Sequence, residues 1–239
     1  MNVLGYNVFN RTLSEIDFSK KTLINTFSPN SYGIARNDKA LENALKNTDL
    51  LVLDGMGIAI GSILLNGKNI KKIAGQDCFD FLMDKANANK WKVFFLGSSE
   101  STLAKIRTRA AHEYPLVKVG TYSPPFRTEF SREENEEMIM AINRFEPRIL
   151  FVGMTAPKQE KWAYQFKEKI NANVISTIGN VFDWYAGNSK RPASIWIKLR
   201  LEWFIRIFMR PEILKRNTKN QLRFFKDLLL HITHIQKIR

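Results

Sequence analysis

Short runs of β-branched and aromatic residues recur along this chain, and each is followed by a turn and then a stretch with helical spacing. Leu50–Leu53, Val93–Leu96, Ile149–Val152 and Val174–Ile178 read as strands. Helical patterns cover Ala40–Lys46 after Asp38, Ser101–His112 after Gly97, Glu133–Arg144 after Ser131 and Pro157–Lys169 after Gly153. Strand and helix in alternation specify an α/β fold: a Rossmann-like, mostly parallel sheet with helices on both faces. In such sheets ligands sit at the carboxyl ends of the strands, where loops lead into helix N-termini. The opening, Val3–Phe9, reads as a further strand with a partner near Thr22–Asn25.

The carboxyl end of the chain has a different character. From Ser194 to Arg210, Lys198, Glu202, Arg206 and Arg210 form one polar stripe of a helix otherwise filled by Ile195, Trp196, Leu199, Trp203, Phe204, Ile207 and Phe208. Beyond Pro211 a second amphipathic stretch gathers Leu222, Phe225, Leu228, Leu229 and Ile232 on one face. The formal charge of +14 is concentrated here: Lys190 to Arg239 holds 13 Lys and Arg against Glu202, Glu212 and Asp227, a net of +10. The expected organisation is one main domain over 1–188 and a basic appendage over 189–239. Such a cationic segment suits anionic lipid, a phosphorylated ligand or nucleic acid. Its wide apolar face argues against nucleic acid and calls for burial on the core, a second copy of the chain or a bilayer.

No stretch reaches the roughly 18 apolar residues of a membrane-spanning helix. Residues 1–20 lack the pattern of a secretory signal, and the lone Cys78 has no partner for an intramolecular disulfide. A cytoplasmic protein, with any membrane contact peripheral, is therefore expected.

Four segments have the character of sites. Asp54 follows the apolar run Leu50–Leu53 and precedes Gly55-Met56-Gly57, which suits a general base beside a closely approaching substrate; it equally suits a turn residue capping the next helix. Phe95-Leu96-Gly97-Ser98-Ser99-Glu100 is a strand, turn and helix start able to receive a phosphate, or an ordinary capped turn. Pro157 is preorganised for a first helical turn that carries Lys158, Gln159 and Glu160, either as site residues or as a solvated turn. Gly179-Asn180-Val181-Phe182-Asp183 leads toward Lys190-Arg191 and the aromatic helix. His112, His231 and His234 lack zinc-type spacing, Gly-x-Ser-x-Gly and Asp-x-Asp are absent, and Cys78 has no evident histidine partner. Neither a metal site nor a hydrolytic nucleophile is expected.

Taken together these segments resemble the WecG/TagA/CpsF family of bacterial glycosyltransferases. The matching residues are Asn25-Thr26 with Ser28-Pro29-Asn30, Asp54-Gly55-x-Gly57, Ala74-Gly75-x-Asp77, Phe95-Leu96-Gly97, Ala156 through Trp162, Phe182-Asp183 with Ala186-Gly187, Lys190-Arg191 on to Trp196, and Leu201-Glu202-Trp203 through Pro211. They follow the family's order over nearly the whole chain. The resemblance implies inverting transfer of N-acetylmannosamine, its uronic acid or a related hexose from a UDP-sugar to a polyprenyl-diphosphate-linked saccharide, feeding a teichoic acid, capsule or exopolysaccharide.

By position, the resemblance makes Asp54 the base and sets Thr26 and Gln159 with it in the catalytic pocket. It places Asn25, Gly55, Gly75, Asp77, Gly97, Pro157, Lys158, Glu160, Gly179, Asp183, Lys190 and Arg191 around the substrates. Arg206 and Arg216 would reach in to the diphosphate from the appendage, which the resemblance implies is a membrane-associating segment that completes the active site of the catalytic core and holds it, peripheral, on the inner face of the cytoplasmic membrane. It implies no cofactor and no metal. The chain departs from the family pattern at Leu53, Thr155, Asn180 and Ile213, and three of these flank the expected donor pocket. A non-catalytic subunit, or a nucleic-acid-binding module using the basic tail, is the alternative function.

Overall fold

The computed structural model describes residues 1–189 and 211–238, with the side chains of 211–216 and 234–238 left aside. Its strands are β1 (Asn2–Val3), β2 (Tyr6–Asn7), β3 (Thr22–Phe27), β4 (Leu50–Leu53), β5 (Lys92–Gly97), β6 (Lys118–Tyr122), β7 (Ile149–Gly153) and β8 (Val174–Thr177). The helices are α1 (Pro29–Ala35), α2 (Lys39–Lys46), α3 (Met56–Asn66), α4 (Gly75–Ala88), α5 (Glu100–Glu113), α6 (Arg132–Phe145), α7 (Lys158–Phe166), α8 (Val181–Tyr185) and α9 (Pro211–Ile238). Strands β3 to β8 form one six-stranded sheet in the order β4-β3-β8-β7-β5-β6, and every pairing in it is parallel. The sequence-based expectation of an α/β, doubly covered parallel sheet is met.

Sequence periodicity explains the layers. Side chains alternate between the faces of a strand, so Phe95 and Phe151 join Phe79, Leu82, Leu103 and Ile106 under α4 and α5. Their neighbours Phe94, Leu150 and Val152 join Met138, Ile142, Trp162 and Phe166 under α6 and α7. All of β7 is buried, as a central strand covered on both sides must be, whereas edge strand β6 is half-buried to exposed. Helix starts are fixed by short polar caps: Asp38 accepts from the Leu41 N–H at 3.0 Å, and Ser131 and Glu134 cap α6 reciprocally.

The opening segment departs from the expected pairing. Asn2–Val3 folds back on Tyr6–Asn7 through Leu4 and Gly5, both at positive φ, and Val8 bridges Leu51 of β4 rather than Thr22–Asn25. The reason is topological. Both edges of β3 are taken, by β4 and β8, so the N-terminal segment meets the sheet at the outer edge of β4 instead.

Helix α9 lies against α1 and α3. Phe224 and Leu228 are buried in the same cluster as Val3, Phe27, Tyr32 and Ile58, so part of the expected appendage belongs to the core. Contact is close because glycines face it. A Cβ on Gly33 of α1 would overlap the Asn220 backbone, and one on Gly61 of α3 would come within 3.2 Å of the Phe224 ring. On the flank that faces α1, α9 is also pinned by Asp227, which accepts from the Tyr32 hydroxyl at 2.8 Å and pairs with Arg36 at 3.3 Å. Among the described residues no helix is long and apolar enough to cross a membrane. Lys190, Arg191 and Arg206 lie outside the described residues, and of Arg216 only the backbone, in α9, is described.

Candidate active site

The strand order itself opens a crevice. From β3 the chain steps outward to β4, crosses to β5 and β6, and returns through β7 and β8 to the other side of β3. The helix after β3 then lies with α2, which packs on α7, whereas the helix after β8 packs on α4 and α5 across the sheet. Between these diverging connections is a cleft of about 850 Å³, at the carboxyl ends of β3, β4, β5, β7 and β8. That is the position the fold class dictates for a ligand, and the volume suits one of nucleotide-sugar size.

Thr26, at the end of β3, and Asp54, just past β4, both line this cleft. Asp54 is fixed through its backbone, whose N–H donates to the Phe27 carbonyl at 2.8 Å. Gly55 then adopts φ +98°, a conformation that favours glycine, and it is Gly55 that stands at the N-cap of α3, where no side chain caps the helix. The alternative of Asp54 as a helix cap is therefore set aside; its half-buried carboxylate lines the cleft. Below it Cys78 is buried, and desolvation, with smaller contributions from Asp77 and Asp54, pushes its thiol up to about 12.

The α7 start is not a solvated turn. Pro157 is the N-cap residue, following a cis Ala156–Pro157 bond, rather than a member of the first turn as its sequence position suggested. Gln159 and Glu160 are 5% and 4% exposed. Gln159 Nε2 donates to Glu160 Oε1 at 2.8 Å, while Gln159 Oε1 and Glu160 Oε2 have no partner among the described residues. Burial raises the Glu160 carboxyl above its usual range. Gly179 lies directly over the Gln159 amide, where a Cβ would stand 3.2 Å from Oε1. Lys158 turns away from the helix: its Nζ donates to the Arg127 carbonyl at 2.6 Å and lies 4.4 Å from the Phe130 ring centroid, and its partial burial lowers its pKa.

Pro157, Lys158, Gln159, Glu160, Gly75, Gly179 and Asp183 all line the cleft with Thr26 and Asp54. Four of the expected substrate-binding residues do not, and each has a structural occupation. Asn25 is fully buried; its Oδ1 accepts from Thr177 at 2.7 Å and its Nδ2 donates to Thr48 at 3.3 Å. Asp77 caps α4 by accepting from the Ala74 N–H at 2.7 Å. Gly97 allows β5 to run against β7, since a Cβ there would overlap the Gly153 carbonyl. Gly55 shapes the turn that carries Asp54.

Sequence reasoning missed several lining residues. Pro124, Pro125 and Phe126 follow β6, and Ser123 is tied to the β5 turn through a 2.8 Å bond to the Ser98 carbonyl. Their place after a strand was the available signal. Asn217 of α9 also lines the cleft and had no local signal. Positive potential among the described lining residues comes from Lys158 and from helix N-termini, with Ser99 capping α5 and Gly75 opening α4 at the wall, against the carboxyls of Asp54, Glu100 and Asp183. Among the described residues no three His, Cys, Asp or Glu side chains gather as a metal cluster.

Residues 2–237 match the family described as Glycosyl transferase WecG/TagA/CpsF. The chain belongs to that family. Among curated members of this WecG/TagA/CpsF family, it is 29% identical over 201 residues to the N-acetylglucosaminyldiphosphoundecaprenol N-acetyl-beta-D-mannosaminyltransferase of Bacillus subtilis strain 168, covering 84% of this chain and 77% of the relative. The protein of the same name from Staphylococcus aureus strain MW2 is 26% identical over 219 residues, covering 87% and 84%. Membership makes the chain a glycosyltransferase.

Proposed function

We propose that the protein transfers a hexose, N-acetylmannosamine or a close relative, from a UDP-sugar to a polyprenyl-diphosphate-linked N-acetylglucosamine at the inner face of the cytoplasmic membrane. The observation that carries this reading is that Asp54 and Gln159 share one cleft at the carboxyl ends of the strands. The names of the relatives support the acceptor and the N-acetylmannosaminyl group. The UDP carrier rests on the family resemblance and on the cleft's size.

In this reading Asp54 takes the proton of an acceptor hydroxyl as its oxygen attacks the anomeric carbon, and the bond from that carbon to the UDP oxygen breaks with inversion. Negative charge develops on the departing diphosphate. The N-terminus of α5, Lys190, Arg191, Arg206 and Arg216 are assigned to it, which would stabilise the transition state without a metal. Gln159, its amide held by Glu160, presents a carbonyl oxygen to a hydroxyl or amide of the sugar. Thr155 and Asn180, where the chain departs from the family pattern, line the same cleft and are the places to look for a donor other than N-acetylmannosamine.

The test is UDP release from a panel of UDP-sugars with a synthetic polyprenyl-diphosphate-linked N-acetylglucosamine, comparing wild type with Asp54→Asn. Acceptor-dependent release that falls by about 100-fold or more on substitution is expected. Release that survives Asp54→Asn at the wild-type rate removes Asp54 from the mechanism, and no release with any donor removes the transferase reading.

A further inference from the structure

Seven of the ten large apolar side chains that stand exposed among the described residues lie on just two helices. They are Ile60, Ile63 and Leu64 on α3 and Leu222, Phe225, Leu229 and Leu230 on α9, each between 40% and 65% exposed. The two helices are neighbours: a Cβ on Gly57 of α3 would sit 3.3 Å from the Phe225 ring, and one on Gly61 would meet Phe224 and Leu228. With 100° per residue, Phe225, Leu229 and Leu222 fall on the flank of α9 that leans toward α3, while Asn220 and Asp227 fall on the flank that faces α1. Ile60 and Leu64 stand on the adjoining side of α3. Ile60 and Leu64 thus adjoin Phe225, Leu229 and Leu222 as one exposed apolar surface, the kind that marks a partner or membrane contact.

The charges around this surface have one sign. Lys68, Lys71 and Lys72 follow α3, and Lys219, Arg223 and Lys226 share the outward side of α9. From Met56 to Lys72 there is no acidic residue, and from Asn217 to Thr233 the only one, Asp227, is engaged by Tyr32 and Arg36. A second copy of the chain set on this face by two-fold symmetry would bring cations against cations with, among the described residues of the two helices, no free carboxylate to answer them. Anionic lipid headgroups answer the charge, and the acyl boundary answers the apolar side chains.

We propose that α3 and the outward side of α9 form a single lipid-facing surface, so that the core itself, and not only the basic tail, rests on an anionic bilayer. This deepens the proposed function and rests on its lipid-linked acceptor. It has a positional result. Helix α3 starts at Met56, two residues after Asp54, so Ile60 and Leu64 lie about 6 and 12 Å along its axis from that start, and Asn217 brings the first part of α9 to the cleft wall. A sugar held on a diphosphate at the headgroup level is then within reach of Asp54 without leaving its membrane.

The experiment is flotation of the full chain with vesicles of phosphatidylglycerol and phosphatidylcholine, and with phosphatidylcholine alone. It compares wild type with Ile63→Glu/Leu64→Glu, with the uncharged Ile63→Ala/Leu64→Ala, and with Leu222→Glu/Leu229→Glu. Each pair is expected to weaken binding to the anionic vesicles, the glutamate pairs by about tenfold or more. UDP release with a short-chain, detergent-soluble acceptor should stay at the wild-type rate. Binding that ignores both α3 pairs but is lost with the α9 pair overturns the proposal. So does a wild-type dimer that the α3 pairs dissolve while vesicle binding persists. Vesicle binding that depends on α3 upholds the surface even where wild type releases no UDP, so this inference and the proposed function fail separately.

Discussion

Gln159 Nε2 donates to Glu160 Oε1 at 2.8 Å, an amide held by a carboxyl that is itself shut away from water at the wall of the cleft. The carboxyl is raised in the folded state, which means that the native protein binds a proton there at pH values where the unfolded chain, near 4.5, has released it. This contribution to stability is full below about 4.5 and is lost as pH rises through the raised native value.

Glu160→Gln keeps an acceptor for Gln159 and cannot ionise. Its Tm should match wild type near pH 4 to within about a degree, and the difference should then grow in favour of the variant as pH rises. Melting curves of both proteins across acid and neutral pH check this, and a constant difference would mean that Glu160 is charged in the fold.

Asn25 separates structure from chemistry. Truncating it to alanine leaves Thr177 and Thr48 without their buried partner, and the expected loss is about 1 to 3 kcal/mol in chemical denaturation. Activity per folded molecule should remain near wild type, in contrast to Asp54→Asn. A folded Asn25→Ala variant with transfer abolished would restore Asn25 to the substrate site.

Gly33 tests the attachment of α9. A methyl group there overlaps the Asn220 backbone, so Gly33→Ala should lift α9 from α1 while the sheet stays folded. Limited proteolysis is expected to cut within α9 in the variant first, and transfer should fall together with it, because Asn217 reaches the cleft wall through the packing of α9 on α1. An unchanged cleavage pattern would show that the helix adjusts locally.

The layers of the fold were legible because they depend on local pattern. Leu50–Leu53 is a strand with the predicted bounds, and Asp38 and Ser131 cap the helices they precede. The order of strands was not, since the insertion of β8 between β3 and β7 joins residues far apart in sequence, Leu23 with Ile175 and Phe151 with Ser176. The same limit governed the site. Asn25 and Thr26 are adjacent in the family motif, but alternate side chains of a strand face opposite ways, and only Thr26 reaches the cleft. Glu160 and Lys158 look like a solvated turn until tertiary packing buries one and ties the other to the loop after β6. Asn217 comes from nearly 200 residues away through the packing of α9 on α1, which no short motif records.

The parallel ladder joining β7 to β8 ends at Val152 and Thr177, while Thr155 and Asn180 stand just beyond it on the cleft wall. Substitutions at these two positions alter what a ligand touches without disturbing a strand hydrogen bond. Selection can therefore explore new sugars at such loop positions while the folding of the sheet is shielded from the search, and a laboratory library confined to them should yield mostly folded variants.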